Sequence, residues 1–293
     1  MNEFLTPKQV ARAIQASESS VKRWCDKGII PTIYTAGGHR RIAISDLIEF
    51  LRSSKHEIVR PEVLGLPATT GQTIRVIDRA ASQLTEALLL GDEEQCRQIV
   101  LDLYLAEHSI SSICDLVFAK AFATIGDRWK CGDAEVYQER RGCELILRVL
   151  HELRTLIPTH PAEAPLAIGG AAEGDQYSMA TTMVELVLRD IKWNAVSLGA
   201  NLPFETLAAA IKQHRPKLFW LSVSHIPDET QFIREYSELY DEFGLDVAFV
   251  VGGRALHEPI RQQIQYAAFC DNIRHLEAFA QTLLSATGKQ STT

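Results

Sequence analysis

Two adjacent glycines followed by one histidine and two arginines, Gly37-Gly38-His39-Arg40-Arg41-Ile42, constrain this chain more than any other stretch. Paired glycines supply the backbone freedom of a tight turn, and the residues after them read as a strand projecting His39, Arg40 and Arg41. Ile30 to Thr35 and Arg41 to Ile44 are therefore expected to form a hairpin. Upstream, Thr6 can cap a helix whose first position suits Pro7, and Val10, Ala11 and Ile14 repeat at helical spacing. Ser17 can cap a second short helix, Ser19 to Lys27, which Gly28 ends. Val21 and Trp24 then point inward together, and Ser19, Ser20, Lys22 and Arg23 stay on the open face. A third helix, capped by Ser45, carries Leu47, Ile48, Phe50 and Leu51. Two short helices beside a basic hairpin form a winged helix-turn-helix pattern.

Charge supports a polyanionic partner for this head. Residues 1–60 hold ten Lys/Arg and six Asp/Glu, a net of +4, whereas the remainder holds twenty and thirty-one, a net of −11. Lys and Arg release counterions at phosphates, and Ser and Arg can read base edges. Residues 4–52, through Leu5 to Ala11, Val21 to Trp24 and Gly37 to Ile42, resemble the head of MerR-type transcription regulators. That resemblance implies that the second helix enters the major groove and the wing meets the backbone. Ser19, Ser20, Lys22, Arg23, His39, Arg40 and Arg41 are the expected contacts to operator DNA.

The rest of the chain changes character twice. Residues 57–71, rich in proline, glycine and small polar residues, read as a linker after a head spanning 1–56. Without a heptad run there, assembly into a dimer or tetramer is expected to come from the later segments. Residues 72–158 carry four apolar stripes at helical period: Ile74 to Leu88, a second from Asp92, a third from Ile110 to Trp129, and a fourth from Glu135 to Leu156. They predict a four-helix bundle. From 165 to 288 short apolar strands alternate with helices, the pattern of a Rossmann-like doubly wound parallel sheet. The expected fold is thus multidomain, α followed by α/β.

Composition excludes several classes. No run approaches the ~18 apolar residues of a membrane span. Met1 to Thr6 lacks the blocks of a signal peptide, so a cytoplasmic location without membrane contact is expected. Cys25, Cys96, Cys114, Cys131, Cys143 and Cys270 are scattered, with no C-x-x-C, which argues against zinc and disulfides. Neither a nucleophile–base motif nor a glycine-rich phosphate loop is present, so no catalytic and no metal-ligating residues are assigned.

Three strand ends in the last segment carry polar or glycine signals: Glu173 to Met179, Ser222 to Pro227, and Gly252 to Arg254. Small residues there admit a ligand close to the backbone. The series Asp175-Gln176-Tyr177-Ser178-Met179-Ala180, then 41 residues, Ser222-Val223-Ser224, then 27 residues, Gly252-Gly253, keeps the spacing of the cobalamin-binding pattern D-x-H-x-x-G, S-x-L, G-G. With the bundle before it, this half resembles a cobalamin-binding module. The full order resembles the light-responsive, adenosylcobalamin-dependent repressors of the CarH/LitR type.

That resemblance implies a corrinoid ligated by two histidines, and both are replaced. Tyr177 stands where the lower axial imidazole stands in the family. Trp129, nine residues and Glu139 match the residues covering the upper face, but Arg140 stands where the light-state histidine follows. Ala180 replaces the motif glycine and Ser224 its leucine. His225 lies beside the nucleotide-tail pocket that the resemblance implies, whereas His151, His160 and His257 have no positional case as substitutes; each of the four reads first as a surface or core histidine. The expected function is a DNA-binding transcription regulator, a repressor, with altered ligand chemistry. Its cofactor is unknown: the pocket takes no cofactor, answering to a small-molecule or protein regulator or to nothing, or takes a bilin or haem, or takes cobalamin without histidine ligation. The alternatives are an adenosylcobalamin-dependent light sensor and a corrinoid carrier of a methyltransferase system.

Overall fold

The computed structural model describes residues 4–54, 58–64, 74–158, 160 and 163–290. They divide into two units: Met1–Ser109 with Leu116–Pro158, and Ile110–Asp115 with Thr159–Thr293.

In the first unit the head begins with strand β1 (Phe4–Leu5) and helices α1 (Pro7–Ala13) and α2 (Glu18–Asp26). Thr6 and Gln9 form a reciprocal cap on α1: the Gln9 amide donates to Thr6 Oγ1 at 3.3 Å and the Thr6 amide to Gln9 Oε1 at 2.9 Å. Ser17 Oγ accepts from the Ser20 amide at 3.0 Å and starts α2 one residue earlier than expected. Gly28, at φ +68°, takes the chain out of the helix. The wing pairs β2 (Ile33–Tyr34) with β3 (Arg40–Ala43), aligning Ile33 with Arg41 and Tyr34 with Arg40. Gly38 turns the hairpin at φ +74°. The other edge of β3 is occupied by β1, a pairing the sequence did not announce. Helix α3 (Ile44–Ser54) already contains Ser45 in its first turn, so Ser45 does not cap it. Leu47, Ile48, Phe50 and Leu51 are buried as expected, and the Phe50 ring lies 5.2 Å from that of Trp24.

Part of the predicted linker lies on α1. The Val59 and Arg60 amides donate to the Ala13 carbonyl at 2.8 and 2.9 Å, satisfying an acceptor that a helix end leaves open. A 3₁₀ turn follows at Pro61–Leu64, with Leu64 buried. Residues 65–71 lie outside the described residues.

Four helices follow in this unit: α4 (Ile74–Leu90), α5 (Glu93–Leu105), α7 (Ala119–Cys131) and α8 (Val136–Arg154). Helix α4 packs on the other three, and α8 also packs on α5 and α7. Leu84, Leu88, Val100, Ile125, Ile146, Leu150 and Leu153 fill the centre. The stripe from Ile110 to Trp129 is not one continuous α-helix. It runs as α6 (Ile110–Ile113), widens into a π turn (Cys114–Phe118), and resumes as α7.

Helix α6 belongs to the second unit, where it packs on α9 (Ser178–Asp190) and α13 (Ile273–Gln290). Two polar side chains explain why. The Asp115 carboxylate accepts from the Ile273 and Arg274 amides at 3.0 and 2.9 Å, capping α13 from a distant part of the sequence. Ser111 donates to Glu277 one turn further along α13.

The sheet of this unit has five parallel strands in the order β5-β4-β6-β7-β8. They are β4 (Leu166–Ala171), β5 (Asn194–Ser197), β6 (Leu218–Ser222), β7 (Ala248–Gly252) and β8 (Ala268–Cys270). The connecting helices are α9, α10 (Phe204–His214), α11 (Glu229–Phe243) and the short α12 (Glu258–Arg261). The three-residue edge strand β8 and α12 are too short to leave a period in the sequence. Phe219, Phe249, Leu221, Val251 and Tyr236 are buried between sheet and helices. The chain leaves β4 for β5 on one side and returns to β6 on the other. The switch between β4 and β6 is where such sheets place ligands.

Candidate functional site

The head assembles a cationic cleft of about 260 Å³, lined by Thr6, Pro7, Lys8, Glu18, Lys22, Gly38, His39, Arg40 and Arg41. The expected Lys22, His39, Arg40 and Arg41 are thus brought together, and Lys8, on the first turn of α1, joins them unannounced. The cations differ in their partners. Lys22 Nζ pairs with Glu18 at 2.8 Å along α2. Arg40 donates through Nε and Nη2 to Asp26 Oδ1 at 3.0 and 2.7 Å, with its guanidinium 5.7 Å from the Tyr34 ring centre. Among the described residues Arg41 donates only to the Arg40 carbonyl, at 3.1 Å. Arg23 is exposed on α2, outside the cleft lining. Ser19 and Ser20 share their hydroxyls with Ser17, at 2.9 and 2.8 Å, which ties both to the helix cap.

Of the residues expected around a cofactor, Trp129, Glu139 and Arg140 lie on α7 and α8 of the first unit. Trp129 and Arg140 are exposed and Glu139 half-buried.

In the second unit, Asp175, Tyr177, Ser222, Ser224, Gly252 and Gly253 gather at the carboxyl ends of the strands, with Ala180 on the first turn of α9. Asp175 is fully buried. Its Oδ1 accepts from the Tyr177 amide at 3.0 Å, and its Oδ2 from the Ser224 and His225 amides at 2.5 and 3.4 Å. One carboxylate thereby ties the loop after β4 to the loop after β6, across the switch point. Gly174 lies against the ring of Pro227, where a Cβ would collide, so the same two loops also touch through carbon. Tyr177 is half-buried, with the Arg254 guanidinium 5.4 Å from its ring centre. Arg254 Nε donates to the Ser224 carbonyl at 3.3 Å. At Gly253 (φ +123°) a side chain would strike the Val223 carbonyl, and at Gly252 it would meet that of Cys270.

Beneath these loops lies a buried polar chain that sequence reasoning missed. Trp220 Nε1 donates to Thr181 Oγ1 at 2.9 Å, and that oxygen lies 3.1 Å from Ser197 Oγ. Trp220 and Thr181 are buried. A Cβ at Gly169 would collide with the Trp220 carbonyl and indole. The signal was present: glycine inside a strand marks a close approach, and Gly169 and Gly170 sit in the middle of β4.

Cys25, Cys96 and Cys114 are buried, Cys143 and Cys270 half-buried, and Cys131 exposed. Burial pushes Cys96 up to about 12, and Cys143 and Cys270 up to about 11; Cys114 is raised further. None of these four is a thiolate at neutral pH. Among the described residues no cluster of three or more His, Cys, Asp or Glu could hold a metal ion, and no helix is long and apolar enough to cross a membrane.

Residues 4–55 match a helix-turn-helix domain, and residues 80–154, within the four-helix segment, match a B12 binding domain. The methanol–corrinoid protein of Methanosarcina barkeri (strain Fusaro / DSM 804) is 24% identical over 117 residues, which cover 40% of this chain and 45% of that protein. The chain thus matches less than half the length of this curated relative. Among solved structures, the monomethylamine corrinoid protein of Methanosarcina barkeri is similar at a TM-score of 0.57 and 18% identity, over 71% of this chain and 98% of that one. That likeness bears on fold alone. The chain therefore combines a segment matching a helix-turn-helix domain with one matching a B12 binding domain, an arrangement that suits a regulator or carrier.

The residues present do not fit a corrinoid ligated from below by imidazole. Position 177 offers a phenol oxygen in place of an imidazole nitrogen. The Asp175 carboxylate is occupied by three backbone amides. The space between α9 and the β4–β6 pair is filled by the indole of Trp220.

Proposed function

We propose that this chain is a DNA-binding transcription regulator, a repressor, whose B12-binding-type half works without a histidine-ligated corrinoid. The observation that carries the reading is the cationic cleft formed by the wing and the starts of α1 and α2, set in a domain that matches a helix-turn-helix family. Operator DNA is its partner, through Lys8, Lys22, Arg23, His39 and Arg41, with Ser19 and Ser20 at the start of the recognition helix. Tyr177 in the motif position and Arg140 after Glu139 support the second half of the reading, because neither gives cobalt an imidazole nitrogen.

The test is direct. The protein is incubated with adenosylcobalamin in the dark, freed of excess, and its spectrum and DNA binding are recorded before and after green light. The expected result is no imidazole-ligated corrinoid and DNA binding indifferent to both cofactor and light. A stoichiometric, imidazole-ligated corrinoid that releases DNA on illumination would falsify the reading. The spectrum of the protein as purified separates an empty module from one carrying a bilin or a haem.

A second reading, a corrinoid carrier, is favoured by the similarity to a methanol–corrinoid protein. It requires the protein to retain a corrinoid and accept a methyl group on it, which a methyl-transfer assay measures.

A further inference from the structure

The cations of the head are not equivalent, and the difference points to a device that sets the wing. Arg40 lies on β3 opposite Tyr34, and both of its contacting nitrogens reach one oxygen of Asp26. Asp26 is the last residue of the recognition helix α2. An acid in the last turn of a helix opposes the helix dipole, so its place there is unfavourable unless a cation answers it. Arg40 is that cation, and its guanidinium lies over the Tyr34 ring, 5.7 Å from the ring centre. With a fork on one side and an aromatic face on the other, the guanidinium is held in one position between helix and wing.

We infer that Arg40 is a positioning residue: with Asp26 it latches the wing to the end of the recognition helix, so that Lys8, Arg23 and Arg41 meet the phosphates in register. Among the described residues Lys8, Arg23 and Arg41 have no carboxylate within ion-pair distance, so their charge is not already spent on a neighbour. Arg40 is only 29% exposed at its side chain and Asp26 49%. The binding consequence rests on the DNA reading above; the latch itself does not.

The two explanations of Arg40 give opposite signs at Asp26. If Arg40 were a plain phosphate contact, removing the negative charge of Asp26 would strengthen DNA binding. If it is a latch, the same change weakens binding. Binding of the full chain to random-sequence duplex DNA is measured across a salt series for Asp26→Asn, Arg40→Met, their double variant and Arg41→Met. The latch predicts that Asp26→Asn and Arg40→Met each lower affinity about threefold, the scale of one exposed ion pair, and that the double variant is no weaker than either. Both single variants keep the wild-type salt slope, whereas Arg41→Met lowers it by about 0.9.

Hydrogen exchange of the β2 and β3 amides supplies a readout without DNA. Exchange is expected to quicken about threefold in both single variants, with no further gain in the double. Stronger or unchanged binding by Asp26→Asn, a salt slope in Arg40→Met reduced as far as in Arg41→Met, or wing amides indifferent to both changes each overturns the latch. Failure of the wild-type chain to bind any duplex overturns the DNA reading, and the exchange measurement still decides the latch.

Discussion

The head and the sheet domain use polar side chains in opposite ways. In the head they crowd an exposed cleft, and Lys8, Arg23 and Arg41 have no acidic partner among the described residues. In the sheet domain Asp175, Thr181 and Trp220 are buried and the polar groups answer one another: Asp175 takes three amides, and Trp220, Thr181 and the half-buried Ser197 form a chain. The head therefore presents unspent electrostatic capacity to a partner. The sheet domain has invested most of its capacity in holding its own loops. A ligand entering at the switch point would have to replace those internal bonds, which is a desolvation cost that the head's cleft does not impose.

This contrast can be broken, and the largest effect lies in the sheet domain. Trp220→Ala removes an indole packed on Gly169 and leaves the Thr181 hydroxyl without its donor. It is expected to cost about 4 kcal/mol, read from urea unfolding of the full chain. A loss below about 1 kcal/mol would mean that the slot beside β4 is loosely filled and open to a ligand. Asp175→Ala comes next, at about 3 kcal/mol, because it removes a fully buried carboxylate that accepts from the part-buried Tyr177, Ser224 and His225 amides. If stability barely changes while the Arg254 side of the crevice becomes protected from exchange, the carboxylate was holding a space rather than a fold.

Smaller effects sharpen the head's side of the comparison. Thr6→Ala removes one half of a reciprocal cap and should cost about 1 kcal/mol of head stability, visible as faster amide exchange in α1. Its effect on DNA salt dependence should be nil, since no charge is lost; a changed slope would show that the cap also aims the start of α1 at phosphate. Least of all, Glu18→Gln, which frees Lys22 from an exposed pair, should raise DNA affinity about twofold. Weaker binding by that variant would mean that the Glu18–Lys22 pair orients the recognition helix.

Much of the head was legible from the chain because its signals are local. Thr6, Pro7, Ser17, Gly28 and Gly38 each act on the few residues beside them, and the structure places them in those roles. The strand–helix alternation after residue 165 was legible for the same reason. The missed elements depend on distant partners. Strand β1 exists because β3 offers it an edge. The break at Cys114–Phe118 separates α6, which packs on α13, from α7, and nothing in an apolar stripe says which body a helix turn will join. Ser45 looked like a cap, but α3 follows directly from β3 and starts before it.

The same division holds at the candidate sites. By itself the sequence determined that imidazole is absent from positions 177 and 140, that the net positive charge lies in the first sixty residues, and that glycines mark the strand ends. These are matters of residue identity and short spacing. Only the tertiary structure decided that Arg40 is held by Asp26, that Lys8 joins the cleft, and that Asp175 and Trp220 occupy the switch between β4 and β6. Hydrogen bonds and ion pairs act over a few ångströms, whereas Asp26 and Arg40 are 14 residues apart, Thr181 and Trp220 39, and Asp175 and Ser224 49. No periodicity connects such positions; the fold brings them within bonding range.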